Sequence, residues 1–152
     1  MNVQGYTTDV RRLEDFSALD LHAMLKMRVD VFVVEQNCPY PELDGNDPDC
    51  LHLRLLDGAA LLAYARLWRP TPDVHPRIGR VAVSLNHRGK RLGEALMREA
   101  IVECDKVYPG ETIELSAQSH LQKFYGSFGF TPISEEYLED GIPHVDMQRA
   151  GT

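Results

Sequence analysis

Apolar positions along this chain follow two rhythms. In the first half, Leu21, Met24, Leu25, Arg28 and Phe32 fall at helical spacing, which predicts a helix over about 17–30. Ser17 supplies an N-cap oxygen with Asp20 three residues on, while the β-branched run Val29–Val34 leaves the helix end open. Val10–Leu13 reads as a short first strand, Leu51–Leu56 as the next, and Ala60–Trp68 as its return after the Asp57-Gly58 turn signal. Ile78–Ser84 is a further strand, apolar at Ile78, Val81 and Val83. Between them the chain is broken by Pro39, Pro41, Gly45 and Pro48, then by Pro70, Pro72 and Pro76. The irregular stretch Gln36–Asp49 is long for a compact domain, and such connections tend to carry function.

The second half changes period. Leu92, Leu96, Ala100 and Cys104 recur every four residues, joined by Met97 and Ile101, with Glu94, Arg98, Glu99 and Glu103 opposite. That is an amphipathic helix of about four turns, stopped by Pro109-Gly110. Thr112–Ala117 reads as a strand, Ser119–Ser127 as a short helix ended by Gly129, and Phe130–Ile133 as a strand. His144–Gln148 follows as the last strand after a Gly141-Ile142-Pro143 turn. The order predicts one α/β (α+β) domain over residues 1–152: a mixed, mainly antiparallel sheet of about six or seven strands with helices on both faces.

Composition narrows the function classes. The 152 residues carry 43% hydrophobic and 26% charged positions, as in an ordinary globular domain. Sixteen Lys and Arg against twenty-three Asp and Glu leave a formal charge of -7, the wrong sign for general nucleic-acid or anionic-membrane binding. No apolar run reaches the length of a membrane span, and the polar start Met1–Thr8 is unlike a signal peptide. Cys38, Cys50 and Cys104 form no CxxC pair, which favours free thiols and a reducing cytoplasm. Cys38, Cys50 and His52 lack the tight spacing of a zinc site. Asp44–Asp49 lacks the sixth-position glycine and twelfth-position glutamate of a calcium loop. No metal is expected.

The most informative stretch joins the Ile78–Ser84 strand to the long helix. A helix N-terminus exposes free N–H groups and a partial positive charge. An acidic chain nonetheless places Arg88, Lys90 and Arg91 there, with no acid from Asn86 to Gly93. A bound anion resolves the conflict, and Gly89 and Gly93 let the backbone approach it. A solvated basic turn is the plainer reading of the same residues. GxxxxGK[ST] and GxGxxG are both absent.

Val81-Ala82-Val83 followed by Arg88-Gly89-Lys90-Arg91-Leu92-Gly93-Glu94-Ala95-Leu96 resembles the acyl-CoA motif of the GNAT superfamily of N-acyltransferases. Phe124–Phe130 resembles its later motif, with a tyrosine ahead of a Gly-Phe pair. The branch that the chain most resembles is the ElaA family, through Arg28–Gln36, Cys38-Pro39-Tyr40, Leu43-Asp44-Gly45 and Glu139–His144. The resemblance implies transfer of an acetyl or other acyl group from CoA to a primary amine of a small molecule or peptide, with acetyl-CoA as cosubstrate. It leaves the acceptor's identity and a homodimer open. A non-catalytic acyl-CoA sensor of the same fold is the alternative.

On the same resemblance the strand holding Val81, Ala82 and Val83 splays from its neighbour at a bulge and pairs with the pantetheine arm. Arg88, Gly89, Lys90, Arg91, Leu92 and Gly93 cradle the pyrophosphate, with Gln118 and Phe124 also on the cofactor side. Arg91 stands where the superfamily usually has glycine, and a side chain fits there if the backbone stays helical. Tyr125 is implied as the acid that protonates the departing thiolate. Glu35, His52, His120 and His144 are candidate bases by type, Glu35 only with a raised pKa. Glu35 and His144 lie in the branch blocks, and a water chain is an equal option. Six acids between Val29 and Leu53 (Asp30, Glu35, Glu42, Asp44, Asp47 and Asp49), without one Lys or Arg, and the group Glu135, Glu136, Glu139 and Asp140 suggest a field that draws in a cationic amine.

Overall fold

The computed structural model describes residues 5–151, so the first four residues of the polar Met1–Thr8 stretch lie outside it. Eight strands form one sheet: β1 (Thr7–Arg12), β2 (Leu51–Asp57), β3 (Ala60–Trp68), β4 (Arg77–Val83), β5 (Ile113–Gln118), β6 (Thr131–Pro132), β7 (Tyr137–Glu139) and β8 (Ile142–Arg149). Their order is β1-β2-β3-β4-β5-β8-β6, with β7 also on β8. Every pairing is antiparallel except β4 with β5.

The strand missed by sequence is β7. Asp140 and Gly141 both take positive φ, 53° and 77°, the two-residue type I′ connection that Asp-Gly favours between strands. The turn therefore precedes Ile142, and β8 begins there. In the β2–β3 hairpin Asp57 pairs with Ala60, so the loop is Gly58-Ala59, with Gly58 at φ 57°.

Helix α1 (Ala18–Val29) opens on Ser17, whose Oγ accepts the Asp20 N–H at 3.1 Å. The β-branched run does not leave as a strand. It continues as π-helical turns over Asp30–Glu35. Helix α2 (Leu92–Val107) is the amphipathic helix. The predicted Ser119–Ser127 helix divides into a 3₁₀ turn, Ser119–Leu121, and α3 (Gln122–Gly126).

Two cores flank the sheet. Buried faces of α2 pack on Leu53, Leu55, Ala65, Leu67, Ile78 and Leu115, with Val81 and Val83 against the same cluster. On the opposite face α1 buries Met24 and Met27, and the π-helical turns bury Val31, against Tyr64 and Ala82. Strand alternation cannot put Ile78, Val81 and Val83 on one side. A bulge does it: Tyr64 pairs with Ala82 and Arg66 with Gly79, so Ala65 faces both Arg80 and Val81. Arg80 takes φ 52° there.

Candidate functional site

The sheet opens where β4 meets β5. These strands pair only at Arg77 and Glu114, and beyond that point Val81–Val83 and Ser116–Gln118 diverge. The opening leads into a cleft of about 850 Å³. Its walls include Glu35, Val81, Ala82, Val83, Arg88, Gly89, Arg91, Leu92, Gly93, Gln118, Phe124, Tyr125 and His144. Of the residues predicted to hold the donor, Lys90 alone is not on the wall.

At one end of the cleft α2 begins without a side-chain cap. Its first backbone bond runs from Ala95 N–H to Arg91 C=O at 3.2 Å, which leaves the N–H groups of Leu92, Gly93 and Glu94 for a ligand. A Cβ built on Gly93 would lie 3.6 Å from the Phe124 ring, so this glycine sits where α3 closes on the helix start. Arg91 departs from expectation. Its backbone is left-handed, φ 59°, not helical, which gives a physical reason for a glycine preference at this position.

Arg88 folds its exposed side chain back onto Glu35 and β4. Its guanidinium forks onto Glu35, one arm at 2.8 Å, and donates to the Val83 carbonyl at 3.2 and 3.3 Å. The fork holds the Glu35 carboxyl below its ordinary range. A base at neutral pH needs the opposite shift, so the condition set for Glu35 as base is not met.

Tyr125, on α3, is 7% exposed, and burial pushes its phenol up to about 12. Its ring makes edge contacts with Phe124 and Phe130, at 5.1 and 6.4 Å between centroids. His144, buried on β8, pairs across the ladder with Gln118 and stacks on Tyr137. Its Nδ1 lies 2.7 Å from the Ile142 carbonyl. A carbonyl only accepts, so Nδ1 carries the proton and the neutral ring keeps its lone pair on Nε2. Glu139 Oε2 stands 3.8 Å from that Nε2; sequence reasoning had taken Glu139 as a steering acid and had not paired it with His144. His120 lines the cleft. His52 does not: it is fully buried, with Nδ1 2.6 Å from the Tyr64 hydroxyl and Nε2 2.9 Å from the Asp47 carbonyl.

The first acidic run does not create an open field, because five of its six acids are paired. Asp30 meets Lys26 and Glu35 meets Arg88. Glu42, Asp44 and Asp47 alternate with Arg28, Arg66 and Arg80 in a closed ring. Arg28 Nε binds Glu42 at 2.8 Å, Glu42 binds Arg80 Nε at 2.7 Å, and Arg80 reaches Asp44 at 3.4 Å. Asp44 then binds Arg66 at 2.9 Å, Arg66 meets Asp47 at 3.1 Å, and Asp47 returns to Arg28 at 2.8 Å. Cys38, Cys50 and Cys104 are free and buried, burial pushing the Cys50 thiol up to about 11. No group of metal-ligating side chains occurs among the described residues, and no helix there is long and apolar enough to cross a membrane.

The chain is 46% identical to ElaA of Escherichia coli over 138 residues, 89% of this chain and 90% of that protein. The solved structure of E. coli ElaA superposes with a TM-score of 0.88, covering 95% of this chain and 99% of that one. An acyl-CoA N-acyltransferase from Pseudomonas aeruginosa is 42% identical with a TM-score of 0.90, over 95% of this chain and 99% of the other. A family model described as an acetyltransferase (GNAT) domain matches residues 26–150, spanning the split strands, the uncapped helix and the buried tyrosine, and the chain belongs to that family.

Proposed function

We propose that this protein moves an acetyl or related acyl group from a CoA thioester directly to a primary amine of a small molecule or peptide. The observation that carries the reading is the cleft itself. It joins an edge of β4 at Val81–Val83 that no strand covers, its Val83 carbonyl held by Arg88, free N–H groups at the start of α2 and a buried phenol at Tyr125. An extended arm bearing amides suits the strand edge, and a diphosphate suits the helix end. In this reading the Val83 N–H hydrogen-bonds the thioester oxygen as charge builds on it.

The acceptor nitrogen, once neutral, attacks the thioester carbonyl carbon. The C–S bond breaks as the C–N bond forms, giving an amide and the CoA thiolate. His144 Nε2, or a water in its place, takes the nitrogen's proton, and Glu139 beside it offers a second acceptor to an incoming ammonium. Tyr125 gives the thiolate its proton. Burial keeps the phenol protonated at neutral pH, as a donor requires.

The test is release of free thiol from acetyl-CoA across a panel of small amines and peptides. Amine-dependent CoA release with formation of the matching amide is expected. Tight acetyl-CoA binding with no thiol release for any amine would support a sensor.

A further inference from the structure

Resting on the donor reading above, we infer that Arg80 is a positioning residue for acyl-CoA: the partly buried ring of three arginines and three carboxylates holds it in the bulge that opens the donor-binding edge of β4.

The bulge controls which way the edge points. It lets Val81 and Val83 share the α2 core with Ile78 while Ala82 faces α1. Without it, a one-residue slip would exchange those faces and turn the backbone groups of Val81–Val83 away from the cleft. The left-handed position in such a bulge is ordinarily glycine's. Here the chain has Gly79 one residue earlier and puts arginine at φ 52°.

The Arg80 side chain accounts for this arrangement. Its Nε donates to Glu42 Oε2 at 2.7 Å, and the same oxygen accepts from Arg28 Nε at 2.8 Å. Glu42 is 8% exposed and Arg28 fully buried, so the anchor is rigid and shielded from water. Asp44, held by two arms of Arg66 at 2.9 and 3.0 Å, takes the other end of the Arg80 guanidinium. Charge balances around the ring, three against three. The long irregular loop supplies all three acids, and α1, β3 and β4 supply one arginine each. The loop thereby fastens the bulge from outside the sheet.

The test separates the pin from the backbone shape it maintains. Arg80→Ala removes the guanidinium and leaves a residue that disfavours positive φ. Arg80→Gly removes it and leaves one that accepts positive φ. In titration calorimetry of the full-length protein, Arg80→Ala is expected to bind acetyl-CoA about tenfold more weakly, the scale of left-handed strain in a non-glycine residue. Arg80→Gly should recover most of that affinity. The KM for acetyl-CoA should rise in step, and kcat should fall with it because the Val83 N–H moves with the edge, while the amine KM stays unchanged, a split that general destabilisation would not produce.

Glu42→Gln keeps Arg80 but weakens its anchor. It is expected to loosen acetyl-CoA binding in the same direction, and it serves where Arg80→Ala does not fold. Native affinity in Arg80→Ala or in Glu42→Gln overturns the inference, as does equal loss in the alanine and glycine variants. A native protein with no acetyl-CoA affinity overturns the donor reading as well, which distinguishes the two failures.

Discussion

Tyr125 shows what a single side chain contributes and how far its neighbourhood decides its chemistry. The phenol sits in the cleft wall with its acidity suppressed by burial alone, so it keeps its proton at neutral pH, and in the proposed reaction that proton is the one shared with the departing thiolate. Tyr125→Phe keeps the ring contacts with Phe124 and Phe130 and deletes only the hydroxyl. Turnover should fall about 10²–10⁴-fold, the usual worth of a general acid. Calorimetry should find acetyl-CoA affinity nearly unchanged. A fully active variant would reduce Tyr125 to packing and leave protonation to water. Tyr125 and His144 could be nominated from sequence because each lies inside a contiguous motif, and both line the cleft. Partners could not. Arg88 and Glu35 are 53 positions apart, and Arg28 looked like one more member of a helical stripe before its buried carboxylates were in view. No local pattern encodes such pairings, since they depend on how the long loop folds back.

At the scale of elements, the start of α2 carries a conflict that sequence displayed and the backbone explains. The basic residues there were legible, but the conformation of Arg91 was not: at φ 59° it bears a left-handed cost of about 1–2 kcal/mol for a residue with a Cβ. Its side chain is 82% exposed, with only a 3.8 Å contact to Glu94, so little is lost by removing it. Arg91→Gly should therefore raise stability by about 0.5–1 kcal/mol after the unfolded-state entropy of glycine is deducted. Thermal melts with and without acetyl-CoA would check this, and a lower melting temperature would mean that the arginine makes contacts that outweigh the strain. Other element-level differences have equally local reasons. The apolar spacing of Ile78, Val81 and Val83 already broke strand alternation, which is the mark of a bulge. Asp140-Gly141 carried the same hairpin signal as Asp57-Gly58, but β7 is only three residues long and mostly exposed. The run Val29–Val34 has strand propensity, yet burial of Val31 beside Met27 keeps it helical.

For the whole molecule, net charge misleads until the acids are placed. The chain is acidic by seven charges, but Glu42, Asp44 and Asp47 are neutralised by arginines distant in sequence. What remains free or only loosely paired near the cleft is divided: Arg91 on its wall with Lys90 beside it at the start of α2, Glu139 and Asp140 toward β7 and β8. Any attraction for a cationic acceptor therefore comes from the second acidic group.

The ring also ties stability to pH. Burial raises the Asp47 carboxyl, but hydrogen bonds and charge from Arg28 and Arg66 outweigh it and hold the group below its ordinary value. Asp44 is likewise lowered, mainly by Arg66 against the opposing effect of burial. A carboxylate depressed in the folded state binds protons more weakly than in the unfolded chain. Its contribution is complete above the unfolded value, about 3.9, and is lost as pH falls toward the folded one. Urea unfolding should thus show stability level near neutrality and declining below about pH 4. Asp47→Asn leaves Arg28 and Arg66 short of a buried partner, so at pH 7 it should cost about 3–5 kcal/mol. It also removes one titrating group, so its stability should decline less steeply on acidification and the two curves should converge. Parallel curves would place the acid sensitivity elsewhere, in other pairs such as Asp9 with Arg11 and Arg54, and would show that the ring stays charged throughout that range.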